Sequence, residues 1–201
     1  MKKTILLIVT MLFALTEGAF SQTAKSVLDK CAATISAKDG IEASFSMQSA
    51  QYNNLSGTIA VKGKMFRATT AVATMWFDGT TQWTYLKKNN EVSVVTPTEA
   101  QLQAINPYNF INMYKKGYKY TMTTAGSSYK VHLTATDAKR KVQELFILVD
   151  KKNYSPTEVK MLQGTKWTTF TISNLKKAKL DDASFRFNSK EFPTAEVIDL
   201  R

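Results

Sequence analysis

Between Ala43 and Leu175 the chain is written in short runs whose apolar residues recur at every second position. A period of two is the signature of β-strands with one face turned toward a core. Ala43, Phe45 and Met47 alternate with Ser44, Ser46 and Gln48. Thr58 to Val61, Met65 to Thr70 and Met75 to Phe77 continue, separated by Gly57, Gly63 and the small residues Ala71 to Thr74. Asp78-Gly79 lies between two aromatic-rich runs, a strong hairpin signal. Trp83-Thr84-Tyr85 alternates out of that turn, and after Asn89-Asn90 the run Glu91 to Val95 returns. Further strands are expected at Tyr118 to Thr124, Tyr129 to Thr136, Val142 to Val149, Thr157 to Leu162 and Trp167 to Leu175. Gly126, Asp150 to Asn153, Ser155-Pro156 and Gly164 mark the turns between them.

Two segments break the period. From Ala24 to Ala37, Val27, Leu28, Cys31 and Ile35 recur at helical spacing, with Gly40 beyond as a stop. In the middle, Thr96-Pro97-Thr98-Glu99 places a threonine three residues before a glutamate and a proline at the first helical position, which reads as a helix start. Asn106-Pro107 interrupts the helical pattern beyond it. Two short helices are therefore expected, Thr98 to Ile105 and Pro107 to Lys115. A helix, antiparallel strands, an inserted helical segment and more strands make an α+β domain.

The first residues speak to the compartment. Lys2 and Lys3 precede the uncharged apolar run Ile5 to Leu15, and small residues stand at Ala19 and Ser21. This is the layout of a cleaved secretory signal over residues 1–21, leaving one domain over 22–201. The run is too short for a transmembrane anchor, which needs about 20 apolar residues. Cys31 is preceded by Leu28, Asp29 and Lys30, and a charged residue at that place argues against N-terminal lipidation. A lone cysteine forms no internal disulfide, and in a helical pattern it reads as a small buried hydrophobe. Without Met1 to Ser21, 25 basic and 15 acidic residues remain, a balance of +10. Such a surface favours acidic partners, and export leaves anionic lipid headgroups or acidic protein rather than nucleic acid.

Catalytic signals are weak, and no enzyme is expected. The sole histidine, His132, sits in a strand pattern between Val131 and Leu133. Cys31 has no evident base, and no G-x-S-x-G elbow is present. One histidine and one cysteine exclude the usual zinc sets, and Asp181-Asp182 reads as a solvated turn, so neither metal nor cofactor is expected. Tyr114 to Tyr120 (YKKGYKY) interleaves rings and lysines as single-strand binders do, but a helix end, a glycine cap at Gly117 and a strand start account for it better. Three Trp, eight Tyr, eleven Phe and eight Met are the more telling feature. A curved sheet with an apolar concave face under a detachable helix would form a pocket for variable apolar shapes.

Against this background the chain resembles the periplasmic outer-membrane lipoprotein carriers of the LolA type. Phe77 to Tyr85 (FDGTTQWTY) followed by Glu91-Val92 resembles the family's hairpin, and Gly57 to Arg67 (GTIAVKGKMFR) the strand pair before it. Pro97 to Pro107 resembles the family's helical lid. Ile147 to Pro156, Thr169 to Asn174, and Phe185 to Phe187 through Asp199 resemble its later strands and ending. The resemblance implies an open, incomplete antiparallel β-barrel with an N-terminal helix and an inserted helical lid. It also implies a carrier that receives acylated lipoproteins from an inner-membrane release complex and passes them to an outer-membrane acceptor. Family members often use a basic residue beside a proline in the second strand to hydrogen-bond the lid. Here that stretch reads Val61-Lys62-Gly63-Lys64, which makes Arg67 the candidate for the lid contact.

On this reading the cavity is lined by Phe45, Met47, Ile59, Phe66, Trp83, Tyr85 and Val92 from strands and by Leu102, Ile105, Phe110 and Ile111 from the lid. The ligand is a lipoprotein acyl chain or another long-chain lipid, and the carrier works as a monomer. The rival reading is an envelope sensor of the same half-barrel kind that binds lipids or lipoproteins and signals to a protein partner.

Overall fold

The structure is a computed structural model. It describes residues 23–49, 54–98, 101–102 and 112–201. The expected leader (1–21) lies outside these residues, as does most of the expected lid, including Ile105, Phe110 and Ile111.

Helix α1 (Ala24–Ile35) starts where Thr23 caps it, its hydroxyl accepting from the Ser26 N–H at 3.1 Å. Val27, Leu28, Cys31, Ala32 and Ile35 are its buried face. Among the described residues no helix is long and apolar enough to cross a membrane.

Among the described residues twelve strands form one sheet. The first six are β1 (Ile41–Ser49), β2 (Leu55–Lys62), β3 (Met65–Thr70), β4 (Ala73–Phe77), β5 (Gln82–Leu86) and β6 (Glu91–Val95). They are followed by β7 (Tyr118–Ala125), β8 (Ser128–Ala135), β9 (Val142–Asp150), β10 (Pro156–Gln163), β11 (Lys166–Lys177) and β12 (Glu196–Asp199). β1 to β6 and β7 to β11 are two antiparallel meanders, joined edge to edge by β1 against β11. The outermost strands, β12 and β7, are not neighbours, so the sheet stays open. One pairing departs from the antiparallel pattern: β12 lies parallel to β6, with Val197 opposite Val92.

The sheet curls around α1. Val27, Leu28 and Cys31 share one buried cluster with Phe66 and Phe77 of the first meander and with Leu133, Leu145 and Ile147 of the second. Side chains from strands far apart in the sheet order meet in that cluster only because both meanders turn the same face inward.

The turns follow local chemistry. Asp78-Gly79 makes a four-residue connection rather than a tight two-residue hairpin, because the Asp78 carboxylate accepts from the N–H groups of both Thr80 and Thr81. The inserted segment also starts differently from the expectation. Its cap is Thr98, not Thr96: Thr98 Oγ1 accepts from Gln101 N–H at 3.3 Å, and Gln101 Oε1 accepts from Thr98 N–H at 2.8 Å. The box moves two residues on because Val95 is still held in the sheet opposite Gln82.

Candidate functional site

The inner face of the sheet carries an apolar cavity of about 350 Å³. From β1 come Ile41, Ala43, Phe45 and Met47, and from β2 Leu55, Ile59 and Val61. β3 adds Phe66, Ala68 and Thr70, and β4 adds Ala73 and Met75. The second meander supplies Pro156, Val159, Phe170, Ile172 and Leu175, and α1 supplies Ile35. Among the described residues Thr70 carries the one polar side chain in this lining.

Position in the strands explains this composition. The register sets Phe45 beside Ile172 and Met47 beside Phe170, so the seam between the meanders runs along the cavity. Phe45 also faces Gly57, where a Cβ would stand 2.0 Å from the Thr69 carbonyl oxygen and 3.2 Å from the Phe45 ring. A glycine there gives the β2–β3 backbones and the ring their close fit. Ile41, Val61, Phe66 and Val159 are buried, whereas Phe45, Met47, Ile59, Phe170 and Ile172 remain partly open to solvent. The cavity thus has a closed floor near α1 and an accessible mouth toward Phe45 and Met47.

Four of the strand residues expected in the lining are brought together here: Phe45, Met47, Ile59 and Phe66. Leu102 is half-buried and packs against the surrounding core. Trp83, Tyr85 and Val92 are not in the cavity. Phe66 pairs across to Phe77 and Phe77 to Gln82, so Gln82 shares their face and Trp83, one residue on, points to the other. Tyr85 pairs with Val92 on that outer face. There they meet an aromatic cluster from the C-terminal segment: Phe192 lies 4.7 Å from Tyr85 and 5.7 Å from Trp76, ring centre to ring centre. Arg67 is corrected in the same way. It pairs with Trp76 and Ala60 on the outer face, away from the cavity where a lid would sit.

Among the lining residues that sequence reasoning missed are Ile35, Val159, Phe170, Ile172 and Leu175. The alternation Phe170-Thr171-Ile172 was a usable signal for two of them. Leu175 breaks the alternation through a bulge. Ser173 opposes Ser44 and Lys176 opposes Glu42, so Asn174 and Leu175 together face Ala43. Asn174 takes a left-handed conformation (φ 54°), and the slip turns Leu175 inward.

The groups weighed for chemistry have structural partners. His132 Nε2 lies 2.9 Å from Glu144 Oε2, and its ring stacks on Phe146 at 4.2 Å. Cys31 is fully buried, and burial pushes its thiol up to about 12. Tyr114 and Tyr118 are buried, and Tyr118 donates to the Val142 carbonyl oxygen at 2.8 Å, so those rings are packed rather than presented. Among the described residues no group of three or more His, Cys, Asp or Glu could hold a metal.

An unclosed sheet curled on helix α1, with an apolar hollow on its inner face, defines a half-barrel protein. The sequence matches the family described as outer membrane lipoprotein carrier protein LolA over residues 15–165, more than half of its 201 residues, and the chain belongs to that family. Among solved structures it is similar to an uncharacterized conserved protein from Thermus thermophilus, at 12% identity and a TM-score of 0.60, covering 88% of this chain and 98% of that one. It is also similar to a LolA superfamily protein from Nitrosomonas europaea, at 13% identity and a TM-score of 0.47, covering 82% and 98%. Comparison with curated proteins gives no match.

Proposed function

We propose that this protein is a periplasmic carrier that holds the acyl chains of lipoproteins in the inner-face cavity and shuttles them from the inner to the outer membrane. The observation that carries this reading is an open-mouthed apolar cavity of about 350 Å³, with one polar side chain among the described residues of its lining, in a member of the lipoprotein-carrier family. The volume falls in the range of pockets that take small ligands. Binding needs no covalent chemistry: each methylene leaving water contributes about 0.8 kcal/mol. On this reading residues 1–21 are removed on export, residues 22–201 form the working domain, and Cys31 carries no lipid. Leu102 and the segment around it cover the mouth when the cavity is empty. Cargo then replaces lid contacts, and affinity stays low enough for release. An inner-membrane release complex and an outer-membrane acceptor are the partners.

A fluorescent fatty-acid analogue should bind saturably and be displaced by long-chain lipid, and the protein should draw acylated lipoprotein from inner-membrane vesicles into the soluble fraction. Phe45→Glu places a charge in the mouth and should abolish both. Binding of the analogue without lipoprotein release would remove the carrier role while leaving the lipid site. Saturable binding that is indifferent to Phe45→Glu would remove the site.

A further inference from the structure

We propose that the outer face of β1, β2, β3 and β11 carries a phosphate-binding site centred on Arg67, separate from the apolar cavity and independent of what that cavity holds. A second hollow of about 280 Å³ lies there, lined by Glu42, Ser44, Thr58, Arg67, Asn174 and Lys176 among its polar residues. Arg67 is half-buried, and among the described residues it makes no hydrogen bond or ion pair. Its cross-strand neighbour on β2 is Ala60, whose small side chain leaves the floor of the hollow open beneath it.

The charges do not cancel. Lys176 Nζ lies 3.3 Å from Glu42 Oε2, so the one carboxylate that the described residues bring to the hollow is already matched and the Arg67 guanidinium is left over. The remaining groups can each donate a hydrogen bond. The Asn174 amide reaches Ser44 Oγ at 3.4 Å, a weak contact that an incoming oxygen could replace, and Thr58 adds a second hydroxyl. A guanidinium fork suits phosphate or carboxylate equally. The Asn174 amide and the two hydroxyls add donors beyond the guanidinium fork, more than the two oxygens of a carboxylate use, which favours the larger oxygen set of a phosphate. The bulge builds this arrangement, since the slip that sends Leu175 inward leaves Asn174 at the edge of the outer hollow.

The phosphate can come from a small phosphomonoester or from a lipid headgroup, and two probes separate them. One is glycerol 3-phosphate, followed by backbone amide shifts. The other is sedimentation with phosphatidylglycerol vesicles, against vesicles of digalactosyldiacylglycerol, which has no phosphate. Each is applied to the wild type, to Arg67→Gln and to Lys160→Gln, which removes the same charge from β10 outside the hollow. Shifts at Arg67 and Asn174 with glycerol phosphate, weakened about tenfold by Arg67→Gln and unchanged by Lys160→Gln, identify a free phosphate site. Vesicle binding alone with the same pattern identifies a headgroup site. No binding of either probe, or equal losses in Arg67→Gln and Lys160→Gln, overturns the proposal. Lys176→Gln repeats the comparison should Arg67→Gln fail to fold.

Discussion

Tyr114 donates its hydroxyl to the carboxylate of Asp29, tying the end of the inserted segment to the middle of α1. Lys25 reaches the other oxygen of the same carboxylate at 2.7 Å. Hydrogen bonds from Lys25 and then Tyr114 hold Asp29 below its ordinary value of 3.8, while burial and then the hydrogen bond to Asp29 push the Tyr114 phenol up. A carboxylate with a depressed folded-state pKa stabilises the fold above its unfolded value and loses that contribution as pH falls through the folded one. Asp29→Asn should therefore cost about 1 kcal/mol at neutral pH, a modest figure because the ion pair is exposed. Urea unfolding should show wild type and variant converging as pH drops below 3.8 toward the lower folded value. A constant difference across that range would mean that the Asp29 charge does not matter.

The same helix makes a prediction about reactivity. Cys31 lies at the centre of the buried face of α1, and its thiol is held as a neutral group by burial, up to about 12. Thiolate is the reactive form. A thiol reagent at about pH 8 should leave the native protein unlabelled and label it fully in urea. Rapid labelling of the native protein would show that α1 lifts off the inner face.

All three tryptophans point away from the cavity. Trp76 and Trp83 pair with each other on the outer face, and Trp167 lies near Phe146, 5.8 Å between ring centres, on the outer face of the second meander. Filling the cavity with a fatty-acid analogue should raise the probe's own emission and leave tryptophan emission at its original wavelength. A shift in tryptophan emission would place the probe on the outer face instead.

The C-terminal segment is a strap over the first meander. Phe192 packs on Trp76, Tyr85 and Phe187, and Arg186 reaches Asp78 at 3.2 Å. Lys62 Nζ holds the Leu180 carbonyl oxygen at 2.8 Å and Asp182 at 2.7 Å. Phe192→Ala should cost about 2 kcal/mol, less than a fully buried ring because Phe192 is half-exposed. Urea unfolding should show that loss while the fatty-acid analogue binds as before. A loss of binding with no loss of stability would contradict the separation of the two faces.

The outward facing of Trp83, Tyr85 and Val92 shows how far the sequence could be read. Every expected strand from Ala43 to Leu175 is present, because period-two alternation and turn residues are local signals. The helix at Ala24 was legible for the same reason. Which of two apolar faces encloses a cavity is not local. Phe66 and Trp83 belong to neighbouring hairpins, and the alternation is apolar on both sides there because Phe187 and Phe192 cover the outside. Only the register through Phe77 and Gln82 separates them. Phe170 and Ile172 enter the lining through the β1–β11 seam, a pairing that no local pattern announces, and Leu175 enters through a bulge that reverses the alternation.

Leu102 separates a lid from a static core. It is half-buried against the apolar cluster, and it comes directly after the Thr98–Gln101 box that starts the inserted segment. If Leu102 only completes the core, Leu102→Glu buries an unpaired charge and should mainly lower stability, by several kcal/mol. If the segment opens to admit cargo, the charge can be left in water when it swings out. Leu102→Glu should then unfold within about 1 kcal/mol of wild type and still fail to retain acylated lipoprotein. Thermal unfolding and cargo pull-down on this one variant give both numbers. A variant that is folded and loads normally would show that the segment beginning at Thr98 is not the gate, and the mouth at Phe45 and Met47 would have to be closed by something else.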